Sequence, residues 1–133
     1  IFSDSLLANL SYGLEEKNIT DDVFIHYLEK FNVFEEINEN KLEKSVTHTS
    51  LSSGQMQKIS FIRALLSGSD VLLLDESTSN LDYETKVLIF EVLDKRDLTI
   101  INATHNPDEF LRYDQHIKIV IKEGKRQLIN ISS

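Results

Sequence analysis

Leu51-Ser-Ser-Gly-Gln55 and, twenty positions on, Val71-Leu-Leu-Leu-Asp75-Glu76 are the stretches whose reading decides the fold. The first is small and polar, contains a glycine, and leads straight into a helical pattern. Met56, Ile59, Ile62, Arg63 and Leu66 recur on one side of that helix, and Ser67-Gly68-Ser69 closes it. Ser52 or Ser53 can cap its start. The second stretch is an unbroken apolar run of strand length, the pattern of a strand buried on both faces of a parallel sheet. Two carboxylates stand at its carboxyl end.

Downstream, Asp82–Lys95 reads as a helix with Val87, Leu88, Phe90, Val92 and Leu93 as its apolar members. Leu98–Ala103 is the next strand, followed by a turn at His105-Asn-Pro107 and a short helix to about Tyr113. Ile117–Ile121 and Gln127–Ile131 around Glu123-Gly124-Lys125 predict a hairpin. Upstream, Ile1–Leu10 is mixed apolar and small, with a break at Tyr12-Gly13. Thr20-Asp21-Asp22 starts a helix, with a hydroxyl at the cap, acids in the first turn, and a stripe of Val23, Phe24, Tyr27, Leu28 and Phe31. Glu35–Lys44 is a charged helix or loop, and Ser45–Ser50 a polar connection. The first half is thus helical and the second alternates strand and helix, an α/β pattern with parallel strands. In such sheets the working residues lie beyond the carboxyl ends of strands, where Asp75, Glu76 and His105 all fall.

Composition narrows the classes. The chain has 133 residues, 41% apolar and 27% charged, which is ordinary globular material for one domain or part of one. A formal charge of -8 argues against nucleic acid or an anionic membrane as a non-specific partner. With no cysteine there is no disulfide framework and no thiolate chemistry, which fits a reducing compartment. No apolar stretch approaches the ~20 residues of a membrane span. Starting at Ile1 rather than Met, the chain reads as a processed or cut product.

The chemistry rests on three groups of residues. Ser52, Ser53 and Gly54 precede a helix whose first N–H groups and dipole suit phosphate; the same residues serve equally as a plain N-cap. Asp75 and Glu76 can divide the work of nucleotide hydrolysis, one beside Mg²⁺ and one on water. Neighbouring side chains on a strand diverge, so the pair can do both only if the strand ends there. The plain alternative is a polar turn after a core strand. His105 can donate to a phosphate oxygen or orient a base, although a lone histidine is commonly structural. His48 and His116 have no partners at metal-ligand spacing, which excludes a transition-metal site on the sequence pattern. No G-x-x-x-x-G-K-[ST] phosphate loop and no G-x-S-x-G occur.

In this order the motifs resemble the carboxyl-terminal part of an exporter-type ABC transporter nucleotide-binding domain. Leu51–Gln55 resembles the signature loop, with Ser53 where a glycine is usual, and Met56–Leu66 the helix that follows. Val71–Glu76 resembles the Walker B strand, Ser77-Thr-Ser-Asn-Leu-Asp82 the D-loop, and Thr104-His105 the switch histidine. Ile1-Phe2-Ser3-Asp4-Ser5 with Asn9 resembles the stretch after the Q-loop. Lys44–Ser50 lacks the glycine- and glutamate-containing segment common in exporters, and Asn106-Pro107 replaces a usual basic start.

The resemblance implies an α/β fold. Its helical subdomain covers 1–66, followed over 67–133 by the carboxyl-terminal part of a P-loop NTPase, RecA-like parallel-sheet core, incomplete without its phosphate loop and Q-loop. It implies ATP and Mg²⁺ as cofactors, Asp75 on the metal, and Glu76 and His105 as catalytic residues. Ser52, Ser53, Gly54 and Gln55 would reach ATP in trans, and Asp82 would communicate across a dimer. The implied partners are a second nucleotide-binding domain and a transmembrane domain, at the cytoplasmic face of the cell membrane. The implied function is ATP-driven export, peptides fitting best, with the isolated chain inactive. Two other readings stand beside it: a soluble ABC-type ATPase without a membrane domain, and a non-catalytic interaction module.

Overall fold

The structure, a computed structural model, describes residues 1–36, 39–106 and 113–131. The chain forms two compact units, Ile1–Ala103 and Thr104–Ser133.

The first unit opens with a two-residue strand, β1 (Asp4–Ser5), and a short helix, α1 (Leu6–Ser11). Ser5 caps α1, its hydroxyl accepting from the Ala8 N–H at 3.0 Å. The start of the chain is held by Asn9, which is fully buried. Its Oδ1 accepts from the Phe2 N–H at 3.0 Å, and its Nδ2 donates to the carbonyls of Phe2 and Ser5, both at 3.0 Å. Gly13, at φ +78°, ends this segment where the sequence places a break.

Helix α2 (Asp21–Lys30) follows a 3₁₀ turn at Glu15–Lys17. Thr20 stands at its cap position, but contrary to expectation its side chain makes no capping hydrogen bond. The predicted stripe forms the packed face, with Phe24, Leu28 and Phe31 all at most 2% exposed. Next come α3 (Glu39–Leu42) and β2 (Ser45–Val46). The polar connection 45–50 therefore contains a strand, because β2 pairs antiparallel with β1, Asp4 opposite Val46 and Ser5 opposite Ser45.

Helix α4 (Ser53–Leu66) is central: Ile59, Phe61, Ile62 and Leu65 are buried, and Gly68 at φ +65° follows its end. From there the chain runs β3 (Val71–Asp75), α5 (Tyr83–Asp94) and β4 (Thr99–Ala103). Strands β3 and β4 pair in parallel, Val71 opposite Thr99 through Asp75 opposite Ala103. A β-α-β unit of this kind is what the alternating pattern predicts. Arg96 ties it to the helices, donating to the Leu65 carbonyl at 2.6 Å and to the Tyr27 hydroxyl at 2.9 Å.

One expectation fails. Burial on both faces does not extend along β3, because Val71 is 52% and Leu73 71% exposed while Leu74 is buried. The physical reason is layer count: this sheet has two strands, and nothing among the described residues covers the face that carries Leu73.

The second unit contains β5 (Ile117–Lys122) and β6 (Lys125–Asn130), antiparallel, with Lys122 opposite Lys125. Glu123 at φ +52° and Gly124 at φ +75° form the two-residue turn, the pair of positive φ angles that a type I′ hairpin needs. The predicted helix running from Pro107 to about Tyr113 lies mostly outside the described residues. No helix among the described residues is long and apolar enough to cross a membrane.

Candidate functional site

Strand β3 ends at Asp75, and the next residue, Glu76, has φ +47°. Left-handed backbone is uncommon for a non-glycine residue and costs on the order of 1 kcal/mol. Here it stops the strand alternation between the two carboxylates, which is the condition both roles require. The kink is fastened on three sides. The Glu76 N–H still donates to the Ala103 carbonyl at 3.0 Å, and the Glu76 carbonyl accepts from the Ser79 N–H at 3.2 Å. The Ser77 hydroxyl accepts from the Asp75 N–H at 3.1 Å and sits 3.3 Å from the Asp75 carbonyl, to which it donates. Asp75 is exposed and Glu76 half-buried. A shallow groove between α4 and β3 is lined in part by Gln57, Phe61, Leu74, Asp75, Glu76 and Ser77.

The loop before α4 is held by a capping box. The Ser52 hydroxyl accepts from the Gln55 N–H at 3.1 Å, and the Gln55 Oε1 accepts from the Ser52 N–H at 2.9 Å. Gln55 is engaged at both ends of its amide, since its Nε2 donates to the Val33 carbonyl at 3.0 Å. Lys58, one turn on, donates to the carbonyl of Asn32, itself at φ +46°. The end of α2 and the start of α4 are thereby stitched together. Ser52 and Ser53 are exposed, and the N–H groups of Ser53 and Gly54 have no acceptor within the helix, as at any helix start.

Asp82 caps α5. Its carboxylate accepts from the Thr85 N–H and from the Thr85 hydroxyl, both at 2.8 Å. These two bonds, the backbone one first, hold its carboxyl below the ordinary aspartate range, and attraction to Lys58 lowers it further. Of the sequence-nominated residues, the first unit thus brings the loop 52–55 and the segment 79–82 against one another, with Asp75 and Glu76 at the head of that segment. His105 belongs to the second unit, where it is exposed and follows Thr104, whose hydroxyl accepts from the Asn106 N–H at 3.0 Å.

Sequence reasoning missed Gln57, which touches Ser79 and Asn80. The available signal was its position three residues after Gly54, on the same helical face. For a metal, the donor set is a single exposed carboxylate at Asp75, and no cluster of three or more His, Cys, Asp or Glu that could hold an ion occurs among the described residues. A lone carboxylate fits magnesium, which binds through one or two carboxylates and phosphate oxygens; it does not fit zinc, which needs three or four protein ligands.

Fold and site together define a β-α-β domain with a helical layer. Comparison with known proteins specifies it. The ABC transporter family model matches residues 2–79. The chain is 37% identical over 129 residues to a lactococcin transport/processing ATP-binding protein of Lactococcus lactis subsp. lactis, covering 94% of this chain and 18% of that protein. It is 36% identical over 133 residues to a molybdenum import ATP-binding protein of Vibrio parahaemolyticus, covering 92% of this chain and 34% of that protein. Its fold matches a bacterial Atm1-family ABC exporter solved with ATP bound, at a TM-score of 0.73 and 21% identity over 86% of this chain and 21% of the exporter. The chain belongs to the ABC transporter family, and the part it matches is that family's ATP-binding domain. It spans about a fifth to a third of the length of these relatives.

Proposed function

We propose that this chain is the carboxyl-terminal part of an ATP-binding and ATP-hydrolysing domain that drives export across a membrane, with peptide as cargo. The observation that carries the proposal is the left-handed Glu76 directly after Asp75, which ends β3 between the two carboxylates. The domain divides into a helical part over 1–66 and a core part over 67–133.

In this reading Asp75 holds Mg²⁺ that arrives on ATP, and Glu76 accepts a proton from the attacking water. His105 orients the phosphate end. Magnesium, when bound, offsets phosphate charge. The loop Ser52–Gln55 faces the nucleotide of a second nucleotide-binding domain: the free N–H groups of Ser53 and Gly54 contact phosphate, the Ser52 hydroxyl shapes the turn, and Gln55 fixes its form. Asp82 lies on the segment that meets the partner domain. A transmembrane domain supplies the path, which sets the working position at the cytoplasmic face of the cell membrane. Export rather than import is supported by the exporter-like stretch Ile1–Leu10.

The test is magnesium-dependent ATP hydrolysis by the full-length protein that carries this chain. Glu76→Gln lowers kcat at least ~100-fold, the scale of losing a general base. Unchanged turnover in that variant supports the non-catalytic module instead. Inside-out vesicles holding the full-length protein accumulate peptide when ATP is added; none accumulating removes the export reading.

A further inference from the structure

One face of α4 meets the loop between β3 and α5. Gly54, Gln57 and Lys58 are spaced i, i+3 and i+4, the spacing that aligns side chains on a helix. At Gly54 the approach is so close that an added Cβ would lie 3.0 Å from the Asn80 carbonyl oxygen, so the loop backbone would have to give way by a few tenths of an ångström. At Gln57 both ends of the amide reach the same loop: Nε2 donates to the Ser79 hydroxyl at 3.3 Å, and Oε1 accepts from the Asn80 N–H at 3.2 Å. Lys58 attracts the Asp82 carboxylate. Leu81 and Asp82 are anchored by burial and by the α5 cap, but Ser79 and Asn80 are exposed, and the turn bonds that flank them, from Ser79 N–H to the Glu76 carbonyl and from Leu81 N–H to the Thr78 carbonyl, are 3.2 and 3.1 Å.

We infer that Gln57 is a positioning residue: it clamps Ser79 and Asn80 to the first turns of α4, so that the loop 51–55 and the segment 79–82 move as one body. The chemistry is bidentate. The amide offers one donor and one acceptor to two successive residues, which fixes the loop's height on the helix as well as its distance. The consequence for catalysis rests on the function proposed above. Glu76 starts the clamped loop, so a shift of α4 is passed through Gln57 to the backbone that carries Glu76. Gln57 touches neither water nor phosphate in this scheme; it acts through the loop.

The test uses the full-length protein with two readouts. Gln57→Leu keeps similar bulk and removes both bonds. Gln57→Glu keeps them, because one carboxylate oxygen accepts from the Asn80 N–H and the other accepts from the Ser79 hydroxyl, which turns to donate. Amide hydrogen exchange is followed at Asn80, with Ile62 inside α4 as reference. Gln57→Leu speeds exchange at Asn80 about tenfold and leaves Ile62 unchanged, and Gln57→Glu restores the slow rate. In ATP hydrolysis Gln57→Leu lowers kcat about tenfold at constant KM, and Gln57→Glu recovers most of it.

Unchanged exchange at Asn80 in Gln57→Leu, or equal acceleration in Gln57→Glu, overturns the clamp. Faster exchange with unaltered kcat overturns the positioning role. If the wild-type protein hydrolyses no ATP, the proposed function fails while the exchange result still decides the clamp. Should Gln57→Leu not fold, Gly54→Ala replaces it for the exchange readout, where the new methyl lifts the loop and accelerates Asn80; no acceleration there counts against the inference.

Discussion

At the scale of single residues, Asn9, Asp82 and Glu76 each shape the backbone in a different way. Asn9 makes three amide hydrogen bonds inside the first unit while fully buried, so replacing it removes the side-chain partner of the Phe2 N–H and of the Phe2 and Ser5 carbonyls. Asn9→Leu is expected to cost about 2–3 kcal/mol, read as a lower urea midpoint. Asp82 behaves differently, because its worth depends on charge. Its carboxyl titrates lower in the folded chain than when unfolded. The stabilisation is therefore complete above about pH 4, where the unfolded carboxyl is already ionised, and fades as pH falls through the lower folded value. Asp82→Asn should lower the melting temperature at neutral pH and erase part of the loss otherwise seen on acidification; a parallel shift of both curves contradicts this. At Glu76 the backbone is tested by a pair of variants that both delete the carboxylate. Glu76→Gly accepts φ +47° and Glu76→Val resists it, so the valine form should unfold about 1–2 kcal/mol more easily. Equal stabilities would show that the kink relaxes freely.

At the scale of elements, the boundaries of α2, α4, β3, α5 and β4 follow from local chemistry, and that is why they were legible in the sequence. Ser52 and Asp82 are good caps, Gly68 suits a left-handed exit, and a four-residue apolar run is too short for a helix. What could not be read depends on neighbours. Ile89, absent from the predicted apolar set of α5, is fully buried, while Leu73 in the middle of an apolar run is 71% exposed. Periodicity says which residues share a face; it does not say what lies opposite. The pair of β1 with β2 was missed for the same reason: two residues carry no period, and their partners lie about forty positions apart. Of the candidate site, the carboxylates and the loop 51–55 were visible as motifs. The left-handed Glu76 was not, since nothing in the residue type asks for it, nor was the contact of Gln57 with a loop more than twenty positions away.

At the scale of the whole molecule, the sheet is the weak point. Two parallel strands form a marginal sheet on their own, and one face presents Val71, Leu73 and Ile101, each more than half exposed. The isolated 133-residue chain is expected to self-associate through this face and its strand edges. Light scattering should find mass above that of a monomer, and Leu73→Lys should shift it downward; a monodisperse wild-type monomer defeats the idea. The same isolated chain is expected to hydrolyse no ATP above background, having no phosphate loop in its sequence. Magnesium-dependent turnover that Glu76→Gln abolishes would reverse that expectation.

The capping box before α4 has a consequence for association. One glutamine amide joins Ser52 to Val33, so the loop holds its shape with nothing bound to it. A segment already ordered has little freedom left to lose, and a surface closing over it meets a small entropic penalty. Under the proposed function, recognition there would be rigid-body docking: the lock is cut during folding, and only the distance to the key remains variable.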